Sequence, residues 1–248
     1  MKDVPEKSTV PSAADIEWGW ENAGYGAEWH EPIFDLMARY VSPSSVVLEV
    51  GAGGSHTLGA IAGRLKCDAI GVEPDTAGIR KAIDLAVDEH AEIMMIRGDG
   101  FSLPLANDAI DLVYSLGLIE HFDHAESVDL LREHIRVCKP SGRVIIAVPN
   151  FWNFPHTIRK WYLGKEYEFY PERSYRLSTV KRMMEGEGLS IECADGVAPL
   201  WGFAMASWAW RPLALMQLLG ITGRLESLKS PRARAITGFM TYIIGRKS

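Results

Sequence analysis

Residues 46–56 read Val46-Val47-Leu48-Glu49-Val50-Gly51-Ala52-Gly53-Gly54-Ser55-His56. The first five form a short apolar run of the kind that makes a strand buried on both faces. A glycine loop follows at once. Leu58, Ile61, Ala62 and Leu65 then fall on one face of a helix that runs to about Lys66. Strand, glycine loop and helix in this order open a layered α/β sheet. Glycines at the turn let the backbone bend tightly and approach a ligand closely. In such sheets the ligand lies at the carboxyl ends of the strands, where the strand order reverses.

The pattern continues in both directions. Upstream, Ile33, Leu36, Met37 and Tyr40 give helical spacing over Glu31–Tyr40, broken by Ser42-Pro43-Ser44. Downstream, strands are expected at Asp68–Val72, Glu92–Ile96, Ile110–Tyr114 and Arg143–Val148. Helices are expected at Ala77–Glu89 and Ser127–Val137, with a turn at Lys139-Pro140-Ser141-Gly142. Alternating strands and helices predict a parallel sheet covered on both faces with right-handed crossovers. After Pro149 the regularity loosens. Residues 150–175 hold Trp152, Phe154, Trp161, Tyr162, Tyr167, Phe169, Tyr170 and Tyr175 among mixed charges, as an insertion over the strand ends would. A helix over Ser178–Gly186, with Ser178 as N-cap and Gly188 as stop, leads to a strand at Leu189–Cys193. Ala235–Ile244 reads as a last strand. No internal repeat is visible.

The chain has 248 residues, 47% hydrophobic and 23% charged, which excludes a disordered or low-complexity protein. A net charge of −6 argues against a nucleic-acid binder with a broad basic face. The charge is uneven, because residues 194–248 carry seven Lys and Arg against two acidic residues. Cys67, Cys138 and Cys193 form no CxxC pair and point to a reducing compartment. No apolar signal-peptide core is visible in the first residues, so the expected location is cytoplasmic. Residues 1–30 form a separate aromatic segment, with Trp18, Trp20, Tyr25 and Trp29. The rest, 31–248, is expected to be one domain with insertions at about 150–176 and 195–233.

Two ligand classes compete for the glycine loop. A dinucleotide fingerprint wants a third small residue for helix–strand packing, and His56 stands there instead. A Walker loop fails as well, since no GK[ST] follows. The other class is S-adenosylmethionine. Glu49-Val50-Gly51-Ala52-Gly53-Gly54-Ser55 resembles the [DE]xGxGxG motif of class I S-adenosylmethionine-dependent methyltransferases, with Ser55 in place of the last glycine. Glu73-Pro74 closes the second strand, Asp99-Gly100-Phe101 closes the third, and Ser115-Leu116-Gly117-Leu118-Ile119-Glu120-His121-Phe122 resembles the fourth-strand motif of the small-molecule, type 11-like members. Lys139-Pro140-Ser141-Gly142-Arg143 resembles the turn usually written LKPGG. The resemblance covers roughly residues 31–193.

That resemblance implies a Rossmann-like, doubly wound sheet of seven strands, mostly parallel with an antiparallel last strand, and insertions forming a lid. It implies S-adenosylmethionine as cofactor, held by Glu49, Gly51, Ala52, Gly53, Glu73, Pro74, Asp99, Gly100, Phe101, Ser115 and Leu116. Glu73 would accept hydrogen bonds from both ribose hydroxyls, and Asp99 would meet the adenine amino group while Phe101 stacks on the base. Glu49 would lie near the methionyl amino group, or tie down the loop. Because the family places the fourth-strand loop near the methyl group, His121 is the first candidate for a catalytic base, ahead of His30, Tyr25 and His124. Glu120, His121, Asp123, His124 and His134 also suggest a metal cluster, but HxxH lacks the one-face spacing of HExxH, and no metal is expected.

The acceptor is expected to be a small molecule. The [DN]PP[YF] motif of DNA amino-methyltransferases is absent after the fourth strand, where Ser115-Leu116-Gly117-Leu118 stands, so no nucleic acid is expected. Residues 198–220 carry one charge, Arg211, and three tryptophans, Trp201, Trp208 and Trp210, with Arg224, Lys229, Arg232 and Arg234 following. Three readings stand: a lid or core element that could double as a homodimer contact, an interfacial helix giving peripheral membrane contact through 198–234, and a transmembrane span that Pro199, Gly202, Arg211 and Pro212 interrupt. The first two imply an apolar or lipid-linked acceptor. The rival functions are an NAD-dependent oxidoreductase on a similar sheet and a non-catalytic cofactor-binding protein.

Overall fold

A computed structural model describes residues 31–167, 171–197, 234 and 238–248. The aromatic segment 1–30, with Tyr25 and His30, and nearly all of 198–234 lie outside the described residues.

Seven strands form one sheet in the order β3-β2-β1-β4-β5-β7-β6. They are β1 (Val46–Val50), β2 (Asp68–Glu73), β3 (Met94–Arg97), β4 (Ile110–Leu116), β5 (Cys138–Pro149), β6 (Ser190–Val197) and β7 (Met240–Arg246). The first five pair in parallel, while β7 runs antiparallel to both β5 and β6. This is the doubly wound, mostly parallel sheet with an antiparallel last strand that the resemblance implies. The last strand is inserted between β5 and β6 rather than added at the edge.

Among the described residues six helices cover the sheet: α1 (Glu31–Met37), α2 (His56–Leu65), α3 (Thr76–Asp88), α4 (His124–Val137), α5 (Phe154–Leu163) and α6 (Leu177–Gly186). The period of two along each strand feeds two cores. In β5, Val144, Ile146 and Val148 join α4 and α6 residues such as Leu130, Leu131, Val180 and Met184. Ile145 and Ala147 face the other way, onto Ile33, Met37 and Ile61 of α1 and α2. Both faces of the sheet are therefore apolar, which is why β1 and β5 read as continuous hydrophobic runs.

Several element ends differ from expectation, each for a local reason. The turn expected at 139–142 is a bulge within β5. Ile110 pairs with Cys138 but Leu112 pairs with Arg143, and Ser141 takes φ 65°. Helix α4 begins at His124 because Asp123 and Glu126 form a capping box, with Asp123 Oδ1 accepting the Glu126 N–H at 2.9 Å and Glu126 Oε2 accepting the Asp123 N–H at 2.8 Å. Helix α6 begins at Leu177, so Ser178 lies inside it and Arg176 is the N-cap. Strand β6 continues to Val197, where Asp195 forms an ion pair with Arg234. No helix among the described residues is long and apolar enough to cross a membrane.

Candidate active site

Strand order reverses between β1 and β4, and the crevice beyond their carboxyl ends is where an open sheet holds a ligand. A cleft of about 200 Å³ lies there. It is lined by the ends of β1, β2 and β4, the turns after β1 and β3, the Ile119–His121 3-10 turn, and residues from after α5 and around the start of β7.

The β1 loop is held by its own backbone and by one carboxylate. The N–H groups of Gly51 and Ala52 both donate to the Val72 carbonyl, at 2.9 and 3.1 Å. Gly51 has φ 70°, and a Cβ there would come within 2.8 Å of the Leu118 side chain. The left-handed backbone is what calls for glycine, since the Leu118 side chain can yield. Glu73, at the end of β2, accepts the Gly53 N–H at 2.8 Å and the Asp75 N–H at 3.0 Å. Burial raises its pKa, and those two bonds oppose the rise. Each Glu73 oxygen keeps a lone pair, so both can still accept a ligand hydroxyl.

Ser55, where the motif departs from glycine, has two uses. Its hydroxyl accepts the Leu58 N–H at 3.0 Å, capping α2, and donates to Glu49 Oε2. The buried Tyr114 hydroxyl donates to the same oxygen at 2.8 Å. Glu49 is thus tied to the loop side chain and to β4. Burial pushes its pKa up to about 8, against the pull of Ser55 and Tyr114. Asp99 accepts the Phe101 N–H at 2.9 Å, forming a turn that turns Phe101 edge-on to Phe122, with ring centroids 5.0 Å apart.

Of the residues expected to hold a cofactor, Glu49, Gly51, Ala52, Glu73, Pro74, Asp99, Gly100, Phe101 and Leu116 all line the one cleft, with His121 beside them. Gly53 and Ser115 stand behind it. Gly53 acts through Glu73, and Ser115 Oγ is buried with no hydrogen-bond partner among the described residues. His121 Nδ1 lies 2.7 Å from the Pro171 carbonyl, and the Gly117 backbone is a second hydrogen-bond partner. Burial lowers the pKa of the ring, and these backbone bonds oppose it.

Two further carboxylates lie in the cleft: Glu172, to which sequence reasoning assigned no role, and Glu120, which it weighed only within the suggested metal cluster. Glu120, 1% exposed, precedes His121 on the 3-10 turn, and Glu172 approaches from the segment after α5. Glu172 accepts from His156 Nε2 at 2.9 Å, Lys160 Nζ at 3.0 Å and the Tyr167 hydroxyl at 2.8 Å. Burial raises its pKa, but the partners win and bring it down to about 2. The two segments are stitched together, since the Arg173 N–H donates to the Glu120 carbonyl at 2.8 Å and the Arg173 guanidinium to that of Phe122. Asp123 and His134, part of the suggested metal cluster, are engaged elsewhere, Asp123 in the α4 cap and His134 against the Leu130 carbonyl at 2.7 Å. Among the described residues, no group of three or more His, Cys, Asp or Glu is placed to hold a metal ion.

With this geometry the comparisons agree. Residues 48–146 match the family model described as a methyltransferase domain. An uncharacterised methyltransferase of Mycobacterium leprae (strain Br4923) is 33% identical over 106 residues, covering 41% of this chain and 36% of that protein. Ajmaline N-methyltransferase of Rauvolfia serpentina is 28% identical over 102 residues, covering 40% and 34%. The chain spans about a third of the length of these curated relatives. Among solved structures, the complex between the Haloferax volcanii Trm112 methyltransferase activator and its putative methyltransferase aligns with TM-score 0.64 at 18% identity, covering 88% of each chain. That likeness is one of fold.

Proposed function

We propose that the protein transfers a methyl group from S-adenosylmethionine to a small, apolar or lipid-linked acceptor. The observation that carries this reading is the convergence of the glycine loop, Glu73 and the Asp99 turn on one cleft at the switch point of the sheet. The residues present suit the cofactor. Gly51, at φ 70°, lets the loop backbone itself line the cleft. Glu73 keeps acceptor capacity for two ribose hydroxyls, and Asp99 with Phe101 presents a carboxylate and a ring to adenine. Glu49, a buried carboxyl held at a high pKa, gains its charge when an ammonium such as the methionyl amino group approaches.

When bound, S-adenosylmethionine supplies a methyl group already activated on a sulfonium. The chain then has to bind, orient and exclude water, and orientation supplies a large share of such a rate. Leu116, Leu118, Phe122, Pro149, Phe239 and Met240 give the cleft an apolar wall, which supports an apolar acceptor body. The exposed side chains of Trp152, Phe154, Ile158, Trp161 and Tyr162 on and before α5 support a surface that meets apolar material. The composition of 198–234 supports the same reading, with peripheral membrane contact as its extension. His121, gripped by the backbones of Pro171 and Gly117, fixes the turn that borders the acceptor. The test is methyl transfer from labelled S-adenosylmethionine to a panel of apolar acceptors, with and without anionic liposomes. Transfer to hydrophilic acceptors alone contradicts the acceptor class.

A further inference from the structure

Glu120 is a buried carboxyl whose Oε2 has no hydrogen-bond partner among the described residues. Buried polar atoms are almost always partnered, and because Glu120 also lines the cleft, a ligand there is placed to supply the missing partner. The nearby donors are committed elsewhere. Lys160 Nζ serves Glu172 and, at 2.6 Å, the Ser174 hydroxyl, while His156 Nε2 and the Tyr167 hydroxyl also serve Glu172. His121 hydrogen-bonds to backbone groups of Pro171 and Gly117.

The charge of the cleft sharpens the point. Glu49, Glu73, Asp99, Glu120 and Glu172 line it, and no Lys or Arg does among the described residues. An anionic acceptor would be repelled there. A hydroxyl would satisfy the orphan oxygen alone, whereas an ammonium satisfies it and also stabilises the ionised form of the buried carboxyl.

We propose that Glu120 is the acceptor-binding residue, and that the acceptor is a basic amine on an apolar body whose N–H donates to Glu120 Oε2. This rests on the reading of the cleft as a methyltransferase site. An ammonium acceptor gives one proton to the Glu120 carboxylate, which becomes the neutral acid. The freed nitrogen lone pair forms the new N–C bond as the C–S bond breaks and its electron pair leaves to sulfur. The proton on Glu120 passes to solvent as the product departs. Burial and the facing Glu172 raise the pKa of Glu120, opposed by its own backbone N–H and by Lys160, which favours the transfer of a proton to it. His121 neighbours it on the turn and Arg173 holds its carbonyl.

The full chain loaded with S-adenosylhomocysteine is titrated with 2-phenylethylamine, 2-phenylethanol and 3-phenylpropanoate, which share one apolar body. The amine is expected to bind at least tenfold more tightly than either of the others. Glu120→Gln is expected to weaken the amine at least tenfold while leaving the Kd for S-adenosylhomocysteine within twofold. No amine binding, equal binding of the alcohol or carboxylate, or a folded Glu120→Gln variant that keeps the amine preference overturns the proposal. The wild-type comparison decides the acceptor class even if the variant does not fold. A wild-type chain that fails to bind S-adenosylhomocysteine overturns the cofactor reading and this proposal with it.

Discussion

Glu73 Oε2 accepts the backbone N–H of Gly53 at 2.8 Å, so the end of β2 holds the loop that follows β1. One carboxylate thereby sets the shape of the glycine loop and faces the cleft. Glu73→Ala leaves the N–H groups of Gly53 and Asp75 without that acceptor. Unfolding in urea is expected to show a loss of about 1–3 kcal/mol, the usual cost of unsatisfied buried donors.

Gly51→Ala tests the loop from the backbone side. The Leu118 methyl that a Cβ would meet at 2.8 Å is the end of a flexible chain and can yield, but φ 70° cannot. The cost is expected to be about 1 kcal/mol or more in stability, as for other non-glycine residues in the left-handed region. Affinity for S-adenosylhomocysteine should fall at least tenfold in the same variant, read by calorimetry. Unchanged affinity would show that the loop does not touch the ligand.

Two buried carboxyls give pH dependences of opposite sign. Glu49 has its pKa raised from 4.5 to about 8, so its contribution to stability is full below pH 4.5 and is lost as pH rises through 8. In cofactor-free protein, Glu49→Gln should therefore gain on the wild type between pH 5 and 9, on the order of a few kcal/mol. Glu172 has its pKa lowered to about 2, so its contribution is present above pH 4.5 and lost as pH falls toward 2. Glu172→Gln should cost roughly 3 kcal/mol at pH 7, by breaking a buried charge network, and much less at pH 3. Denaturant melts across pH check both, and parallel curves for variant and wild type would contradict either.

The strand ends that build the cofactor side were legible because each signal is local. Val46–Val50, the glycines after it, Glu73-Pro74 and Asp99-Gly100 each combine strand, turn and charge within a few residues. The capping box at Asp123 and Glu126 is equally local, in a stretch that the sequence reading weighed only as metal ligands and set aside. The place of β7 between β5 and β6 was not legible, since both partners are apolar and no local pattern orders them. Glu172 was hidden for another reason. Its partners Tyr167, Lys160 and His156 lie 5, 12 and 16 residues away, and its link to the Glu120 turn crosses 50 residues or so of chain. Only packing brings them together.

His121→Ala should lower turnover at least tenfold once an acceptor is known, because the ring ties the 3-10 turn to Pro171. The Kd for S-adenosylmethionine should stay within twofold. A variant that turns over like the wild type would remove His121 from any role in positioning the acceptor.

The most direct test of the cofactor site is calorimetric titration of S-adenosylmethionine, S-adenosylhomocysteine and NAD into the wild type and Glu73→Ala. Micromolar binding of both sulfur nucleosides to the wild type, lost in the variant, with no binding of NAD, is the predicted result. Binding of NAD alone, or no binding of any of the three, would contradict the assignment of the cleft to S-adenosylmethionine.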